Sequence, residues 1–480
     1  MNRRFVFRLL GKLMMVTAAL LVLPLIVSII YKEDCYTAFL LSIGISLAIG
    51  FPLMIFCKTE DRVIYAKEGF VIVALSWLSM SAIGALPFFL SGEIPNYVDA
   101  FFETVSGFTT TGASILTNVE ALSHGMLFWR CFTNWVGGMG VLVFVMAIIP
   151  ASTDRSIHIL RAEVPGPIVG KLVPKMRDTA IILYLIYIVL TVIEFILLLA
   201  GGMPLFDSIV HSFATAGTGG FGIKNDSFAS YNPYIQWVVT AFMFIFGVNF
   251  NLYYLLITKK FRSILKSEEL WIYIGLYAVA ICVIAFNISG LYDNFGDNIR
   301  ASAFQVATVI STAGFATADF NLWPELSKTI ILILMFVGAC AGSTAGGFKL
   351  TRIIMLFKVI KREIKGLIHP RAVGVVRFEG KKVDDDVVKS LCAYFAIYTM
   401  TFFGIFILLS FDGYDILTNF SAAASCFNNI GPGLAAVGPA SNYAGYSVFS
   451  KLVLSLAMLL GRLEIYPILF VLSRNAWSKK

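Results

Sequence analysis

Residues Asp99–Ser114 read DAFFETVSGFTTTGAS, a half-apolar stretch closing on the small polar run Thr110-Thr111-Gly112. It is long enough for about three helical turns and too short to cross a bilayer. Three later stretches follow the same plan: Asp207–Gly222 (DSIVHSFATAGTGGFG), Ala301–Thr317 (ASAFQVATVISTAGFAT) and Asp415–Gly433 (DILTNFSAAASCFNNIGPG). They close on Thr218-Gly219-Gly220, Thr312-Ala313-Gly314 and Asn429-Ile430-Gly431. Asp99, Asp207 and Asp415 open three of them, where an acidic N-cap suits the positive end of a helix dipole. The third lacks that aspartate, and Asn298 is the expected substitute.

On either side of each stretch lies a long apolar run. The runs fall near 13–30, 37–56, 69–90, 127–150, 179–200, 235–257, 270–290, 329–357, 387–411 and 447–470. Each approaches the ~20 residues that cross a bilayer core. After the first two, one unit repeats four times: long helix, short segment, long helix. Composition agrees. Of 480 residues, 58% are hydrophobic and 14% charged, against about 25% charged in a soluble domain. The mean hydropathy is +0.82. Most soluble enzymes, nucleic-acid binders and disordered scaffolds are excluded. An outer-membrane barrel, whose strands alternate with period two, is excluded as well. The expected fold is an all-α polytopic membrane protein. The expected units are 1–66 (two extra helices), then 67–155, 156–262, 263–365 and 366–480, the third with an interrupted second helix.

Charge sets the orientation. The net charge is +8, and the excess collects in one set of loops, including Lys58, Arg62 and Lys67; Arg155, Arg161, Lys171, Lys175 and Arg177; Lys259, Lys260, Arg262 and Lys266; and Lys358, Lys361, Arg362 and Lys365. The opposite loops carry Glu93, Asp293, Asp297, Asp319, Glu325 and Asp412. By the positive-inside bias both termini are cytoplasmic, and all four short segments enter from outside. The run Leu13–Ile30 follows Arg3, Arg4, Arg8 and Lys12. It is longer than a signal-peptide core, so it reads as an uncleaved membrane helix. The seven cysteines are scattered, without C-x-x-C pairs, and read as small core residues.

Non-helical backbone at membrane depth is tolerated only where it lines a polar cavity, because each unsatisfied carbonyl costs several kcal/mol. Four such segments on one face imply a shared cavity on a pseudo-fourfold axis. Glycine admits positive φ and lets carbonyls point inward. Oxygen rings suit hard cations and can replace the water around an alkali ion. None of the four closing runs contains a carboxylate, which favours a dehydrating carbonyl filter over a carboxylate ring.

These segments, together with NNIGPG at Asn428–Gly433, GSTAGG at Gly342–Gly347 and GRLEIYP at Gly461–Pro467, resemble the membrane subunit of the Trk/Ktr/HKT superfamily of potassium transporters, the bacterial Trk type above all. The resemblance implies a four-domain potassium channel fused into one chain, with two extra N-terminal helices and K+ as the transported ion. It implies a homodimer in the bacterial inner membrane, in contact with lipid and with a cytosolic nucleotide-binding regulatory subunit. No organic cofactor and no nucleic acid is expected. The family's filter glycine matches Gly112, Gly220, Gly314 and Gly431, and glycine rather than serine at Gly112 favours potassium over sodium. The ion-binding residues implied are Thr110, Thr111, Gly112, Thr218, Gly219, Gly220, Thr312, Ala313, Gly314, Asn429, Ile430 and Gly431. Passive flow and coupling to protons or sodium both fit these residues.

The eighth span is broken by the run Val337–Gly347, rich in glycine, and Lys349 follows it. Glycines in a helix interior cost about 1 kcal/mol each relative to alanine, so the run is expected to unwind. The spacing Gly342-x4-Gly347 imitates a phosphate loop, but Phe348 stands where that motif needs lysine and no strand precedes it. In the family the matching segment is an intramembrane gate. The implied gate residues are Gly338, Gly342, Ser343, Thr344, Gly346, Gly347 and Lys349, with Arg462 under the filter. Close helix packing through small residues is the competing reading of these glycines. Arg462 and Glu464 fall within the last span, and an Arg462–Glu464 or Arg462–carbonyl pair is the structural alternative. Glu194 and His211 are read as packed or hydrogen-bonded groups, Trp135–Gly140 as a close-packing face, and Asn249 and Asn251 as helix caps or bridges. The basic linkers 258–266 and 358–389 fit both anionic-lipid contact and docking of a cytosolic partner. A secondary transporter with broken helices is the alternative function, but its repeats should be inverted. Here all four run the same way. No catalytic constellation appears in the spans, so the chain is read as not an enzyme.

Overall fold

The computed structural model describes residues 3–57, 66–140, 176–371, 374–473 and 477. The second half of the expected span 127–150 and the basic positions Lys58, Arg62, Arg155, Arg161, Lys171 and Lys175 lie outside them, as do the side chains of Lys67 and Arg177.

The protein is an all-α membrane fold. Two accessory helices come first: α1 (Arg3–Leu20), continued by α2 (Val22–Ile30), and α3 (Tyr36–Phe56). Gly11 of α1 faces Gly50 of α3 so closely that a Cβ on Gly11 would lie 2.7 Å from the Gly50 carbonyl oxygen. That is small-residue packing between membrane helices. The first repeat follows, with α4 (Ala66–Gly84), α5 (Leu86–Leu90), the short α6 (Tyr97–Phe108) and α7 (His124–Gly138). The second has α8 (Met176–Ala200), the short α9 (Leu205–Gly217), α10 (Pro233–Phe246) and α11 (Phe250–Ile257). After a basic turn, α12 (Phe261–Leu265), come α13 (Glu268–Asn287), the short α14 (Phe295–Ile310), α15 (Glu325–Val337) and α16 (Leu350–Ile368). The fourth repeat is α17 (Asp385–Leu409), the short α18 (Ile416–Phe427), α19 (Val448–Arg462) and α20 (Tyr466–Leu472).

Each short helix packs against the inner helix of the preceding repeat. Helix α9 lies on α7, α14 on α10, α18 on α15, and α6 closes the circle on α19. The loops beyond the short helices are stitched in the same order. Val119 N donates to Asn225 Oδ1 (2.8 Å), Phe228 N to the Ala316 carbonyl (2.9 Å), Ala435 N to Asn321 Oδ1 (2.9 Å) and Tyr443 N to the Ser114 carbonyl (2.8 Å). Four units arranged around one axis account for both patterns.

Three expectations are corrected. The span 235–257 is not one helix: α10 and α11 meet at 91° across Gly247–Asn249. The last span is likewise broken, at Leu463–Ile465, where Glu464 (φ 55°) and Ile465 (φ 68°) adopt left-handed backbone. Only Asp415 caps its helix, accepting from Thr418 N at 3.1 Å. Asn96 caps α6, so Asp99 sits in the first turn and accepts from Lys451 Nζ (2.7 Å). Pro204 precedes α9, and Asp207 accepts from the Tyr231 hydroxyl (2.9 Å). Helix α14 begins at Phe295, a turn earlier than expected, and Asn298 instead donates to the Ala285 carbonyl (2.8 Å). In each case the helix extends back to a residue the spacing did not single out.

Candidate functional site

The four closing runs share one backbone. Thr110, Thr218, Thr312 and Asn429 all lie in the left-handed region, with φ of 54°, 52°, 57° and 56°. Two residues later, Gly112, Gly220, Gly314 and Gly431 are again at positive φ, from 71° to 106°. A non-glycine residue there costs roughly 1–2 kcal/mol, so four at one register are a built feature. Asn429 replaces threonine in composition while keeping its conformation.

The runs form a closed ring. A Cβ on Gly112 would lie 2.6 Å from the Gly219 carbonyl oxygen, one on Gly220 2.1 Å from that of Ala313, one on Gly314 2.1 Å from that of Ile430, and one on Gly431 2.7 Å from that of Thr111. Each glycine therefore faces the middle carbonyl of the next run, and the fourth returns to the first. All four glycines line one cavity of about 170 Å³, whose described lining holds no carboxylate.

Under the ring runs the interrupted stretch between α15 and α16. Gly338 (φ 65°, ψ 177°) ends α15, and Lys349 (φ 66°) precedes α16. The stretch is seated on the α10–α11 bend: Cys340 N donates to the Gly247 carbonyl (3.1 Å) and Phe250 N to that of Gly342 (3.0 Å). Gly346 N donates to Thr312 Oγ1 (2.7 Å), and the Thr344 and Thr218 hydroxyls lie 3.4 Å apart. A Cβ on Gly346 would lie 2.8 Å from the Asn428 carbonyl oxygen. Arg462, 8% exposed, completes the floor. Its Nη1 donates to Thr110 Oγ1 (3.1 Å) and the Thr344 carbonyl (2.8 Å), and its Nη2 to the carbonyls of Gly137 (2.5 Å) and Gly138 (2.7 Å). The loop and Arg462 thus bond the inner residues Thr110, Thr218 and Thr312 and pack against Asn428–Asn429 of the fourth run. In this state they, and not a free cavity, hold the threonine hydroxyls.

A family model described as "cation transport protein", TrkH, matches residues 36–279 and 292–479. The chain belongs to the TrkH family. It is 35% identical to the Trk system potassium uptake protein TrkH of Salmonella typhimurium (strain LT2) over 486 residues, covering 100% of both chains. It is 34% identical to the Trk system potassium uptake protein TrkG of Escherichia coli (strain K12), over 95% of this chain and 94% of that one. Its fold matches the crystal structure of the potassium transporter TrkH from Vibrio parahaemolyticus with a TM-score of 0.90, at 31% identity and 100% coverage of both chains.

In this TrkH-family sequence the residues of the four closing runs, the stretch Gly338–Lys349 and Arg462 converge on the ring and its floor, whereas Glu194 and His211 lie behind it. Glu194 is fully buried on α8, and His211 lies on α9 with Nε2 3.3 Å from the Tyr231 hydroxyl. Gly137 and Gly138 are indeed packing contacts: a Cβ on Gly137 would lie 1.9 Å from the Phe108 carbonyl oxygen. Asn249 caps α11. Glu464 pairs with Arg352 (2.5 Å), while Arg462 takes the carbonyl alternative. Several braces escaped the sequence reading. Glu269 accepts from Ala341 N (2.8 Å) and from the Thr351 hydroxyl, anchoring the loop from α13. Tyr443 and Ser425 donate to the Gly431 carbonyl (2.8 and 2.7 Å). Glu103 and Arg130 pair behind the ring at 2.6 Å. Charged residues inside half-apolar helices were the available signal for Glu103 and Arg130; Glu269, in the first turn of α13 beside Glu268, carried none.

Proposed function

We propose that this chain is a potassium-uptake transporter of the bacterial inner membrane that works as a channel-like pore. The observation that carries the reading is the closed ring in which each of four glycines faces the next segment's carbonyl. The names of its relatives supply the ion. Potassium sheds water against uncharged backbone oxygens of the twelve residues Thr110–Gly112, Thr218–Gly220, Thr312–Gly314 and Asn429–Gly431. It then meets a gate formed by Gly338–Lys349 and Arg462. The loop's hydrogen bonds to Thr312, Thr218 and, through Arg462, Thr110 support a closed state.

The working units are 1–66, 67–155, 156–262, 263–365 and 366–480, with both termini cytoplasmic. A homodimer and a cytosolic nucleotide-binding regulatory subunit are the partners this reading entails. Exposed apolar side chains such as Leu41, Phe51 and Phe56 on α3 are suited to lipid.

The test is rubidium and sodium uptake in potassium-transport-deficient cells, wild type against Gly112→Ser and Gly220→Ser. Both glycines are at positive φ with a carbonyl where the new Cβ must go. Both variants should lose preference for rubidium over sodium. An unchanged preference in both would remove the filter assignment.

A further inference from the structure

We propose that the buried Glu103–Arg130 pair is a positioning element of the filter. It holds the outer ends of the first two runs in register and neutralises the Arg130 charge beside the cavity mouth. The proposal rests on the filter reading above.

Glu103 lies on α6, nine residues ahead of Gly112, and is fully buried; Arg130 on α7 is 3% exposed. One carboxylate oxygen of Glu103 accepts from Arg130 Nε (2.6 Å) and Ser114 Oγ (2.9 Å), the other from Ile115 N (3.0 Å). Arg130 Nη1 donates onward to the Gly222 carbonyl (2.7 Å), and its guanidinium lies 3.6 Å over the Phe221 ring. Ser114 and Gly222 are each two residues past their filter glycine. The pair therefore clamps the same register point in two adjacent runs. The planar fork of arginine serves two acceptors at fixed geometry, which a lysine ammonium cannot reproduce.

Arg130 also lines the cavity bounded by the four glycines, where the described lining has no carboxylate. Left unneutralised, its positive charge would add to that of Lys224 on the same lining and oppose entry of a cation. Glu103 cancels it without placing an acid in the ion's path.

The corresponding positions of the other runs carry neutral chemistry. His211 meets the Tyr231 hydroxyl, and Gln305 Nε2 donates to the Ala318 carbonyl (3.1 Å). Ala422 offers nothing, and Tyr443 and Ser425 hold the Gly431 carbonyl in its place. Every run is braced near this register, and among these four positions the charge stands at the first alone.

The experiment measures the rubidium-over-sodium uptake ratio and the uptake rate of full-length protein, in deficient cells and in liposomes. The variants are Glu103→Gln, Arg130→Lys, Ser114→Ala and the double change Glu103→Gln/Arg130→Gln. Ser46→Ala, which removes only a bond to the Met14 carbonyl between α3 and α1, is the control. Glu103→Gln and Arg130→Lys should lower the ratio about tenfold, and Ser114→Ala about threefold, because Ser114 supplies one hydroxyl donor to the Glu103 carboxylate whereas the other two changes break the ion pair itself. Glu103→Gln should also slow uptake, and the double variant should regain rate while its ratio stays low. Unchanged ratios in Ser114→Ala and Arg130→Lys overturn the proposal, as does an equal fall in Ser46→Ala. If Glu103→Gln or Arg130→Lys does not reach the membrane, the mild Ser114→Ala variant decides. Gly112→Ser separates the two readings. A fall there with no fall in Ser114→Ala and Arg130→Lys removes only the pair's role, whereas no fall in any variant removes the filter reading as well.

Discussion

Arg462 is a cation almost removed from water, and it is satisfied by three carbonyls and one hydroxyl. A buried guanidinium needs such saturation, because an unpaired buried charge is strongly destabilising. Its placement does two things at once. It ties the loop, through Thr344, to the C-terminal end of α7, and it sets a positive charge under a ring that would pass cations. Lys349, also buried, donates to the Ala345 carbonyl within the same floor. Arg462→Gln keeps some hydrogen-bonding capacity while removing the charge. Rubidium flux through purified protein in liposomes should rise, on the order of tenfold for a charge a few ångströms from the path. A folded Arg462→Gln protein with unchanged or lower flux would exclude Arg462 as a barrier.

At the scale of elements, the described inner helices of the last three repeats all break. The interrupted stretch 338–349 was legible because four glycines in an apolar span cannot hold a helix cheaply. The 91° bend at Gly247–Asn249 was not. The apolar run continues on both sides of it, and although Asn249 reads as a cap, the partners of the exposed backbone at the bend come from the loop after α15, nearly a hundred residues on. The break at Glu464 also depends on a distant partner, Arg352, 112 residues away. The ring positions were readable because four local patterns repeat. The braces behind them, Glu103 with Arg130 and Glu269 with Ala341, join separate elements of the chain, and no local pattern specifies such pairs. Gly346 tests the seating of the loop. It sits at ordinary backbone angles, so alanine there is not strained, but its Cβ meets Asn429 Cβ at 2.7 Å and the Asn428 carbonyl at 2.8 Å. Gly346→Ala should push the loop off the ring, raising rubidium flux in liposomes while the protein still reaches the membrane at normal abundance. A variant that is well folded and no more conductive than wild type would mean that the loop is not the closed gate.

At the scale of the whole molecule, four unlike segments are held in one ring by cyclic packing, and the accessory helices pack on α4, α5 and α7 of the first repeat. The contact is electrostatic as well as apolar. Glu33, between α2 and α3, accepts from His124 N (2.7 Å), from His124 Nδ1 (2.8 Å) and from Gly125 N (3.0 Å), so it caps the first inner helix from outside the repeat. Tyr31 stacks on the His124 ring at 4.0 Å. Burial pushes the Glu33 carboxyl up, but the amides of Gly125 and His124 and the His124 ring outweigh it and hold it below its ordinary 4.5. An anion at a helix N-terminus is favoured in this way. Because the folded carboxyl is the stronger acid, Glu33 contributes stability that is fully present above pH 4.5 and is lost as pH falls through its lowered folded value. Thermal melts of purified protein in detergent, from pH 7 downward, should therefore show Glu33→Gln melting about 1–2 °C below wild type at neutral pH. The gap should close as the medium becomes acid enough to protonate the wild-type carboxyl. Parallel melting curves across the whole range would mean that the carboxylate does not couple the accessory helices to the pore.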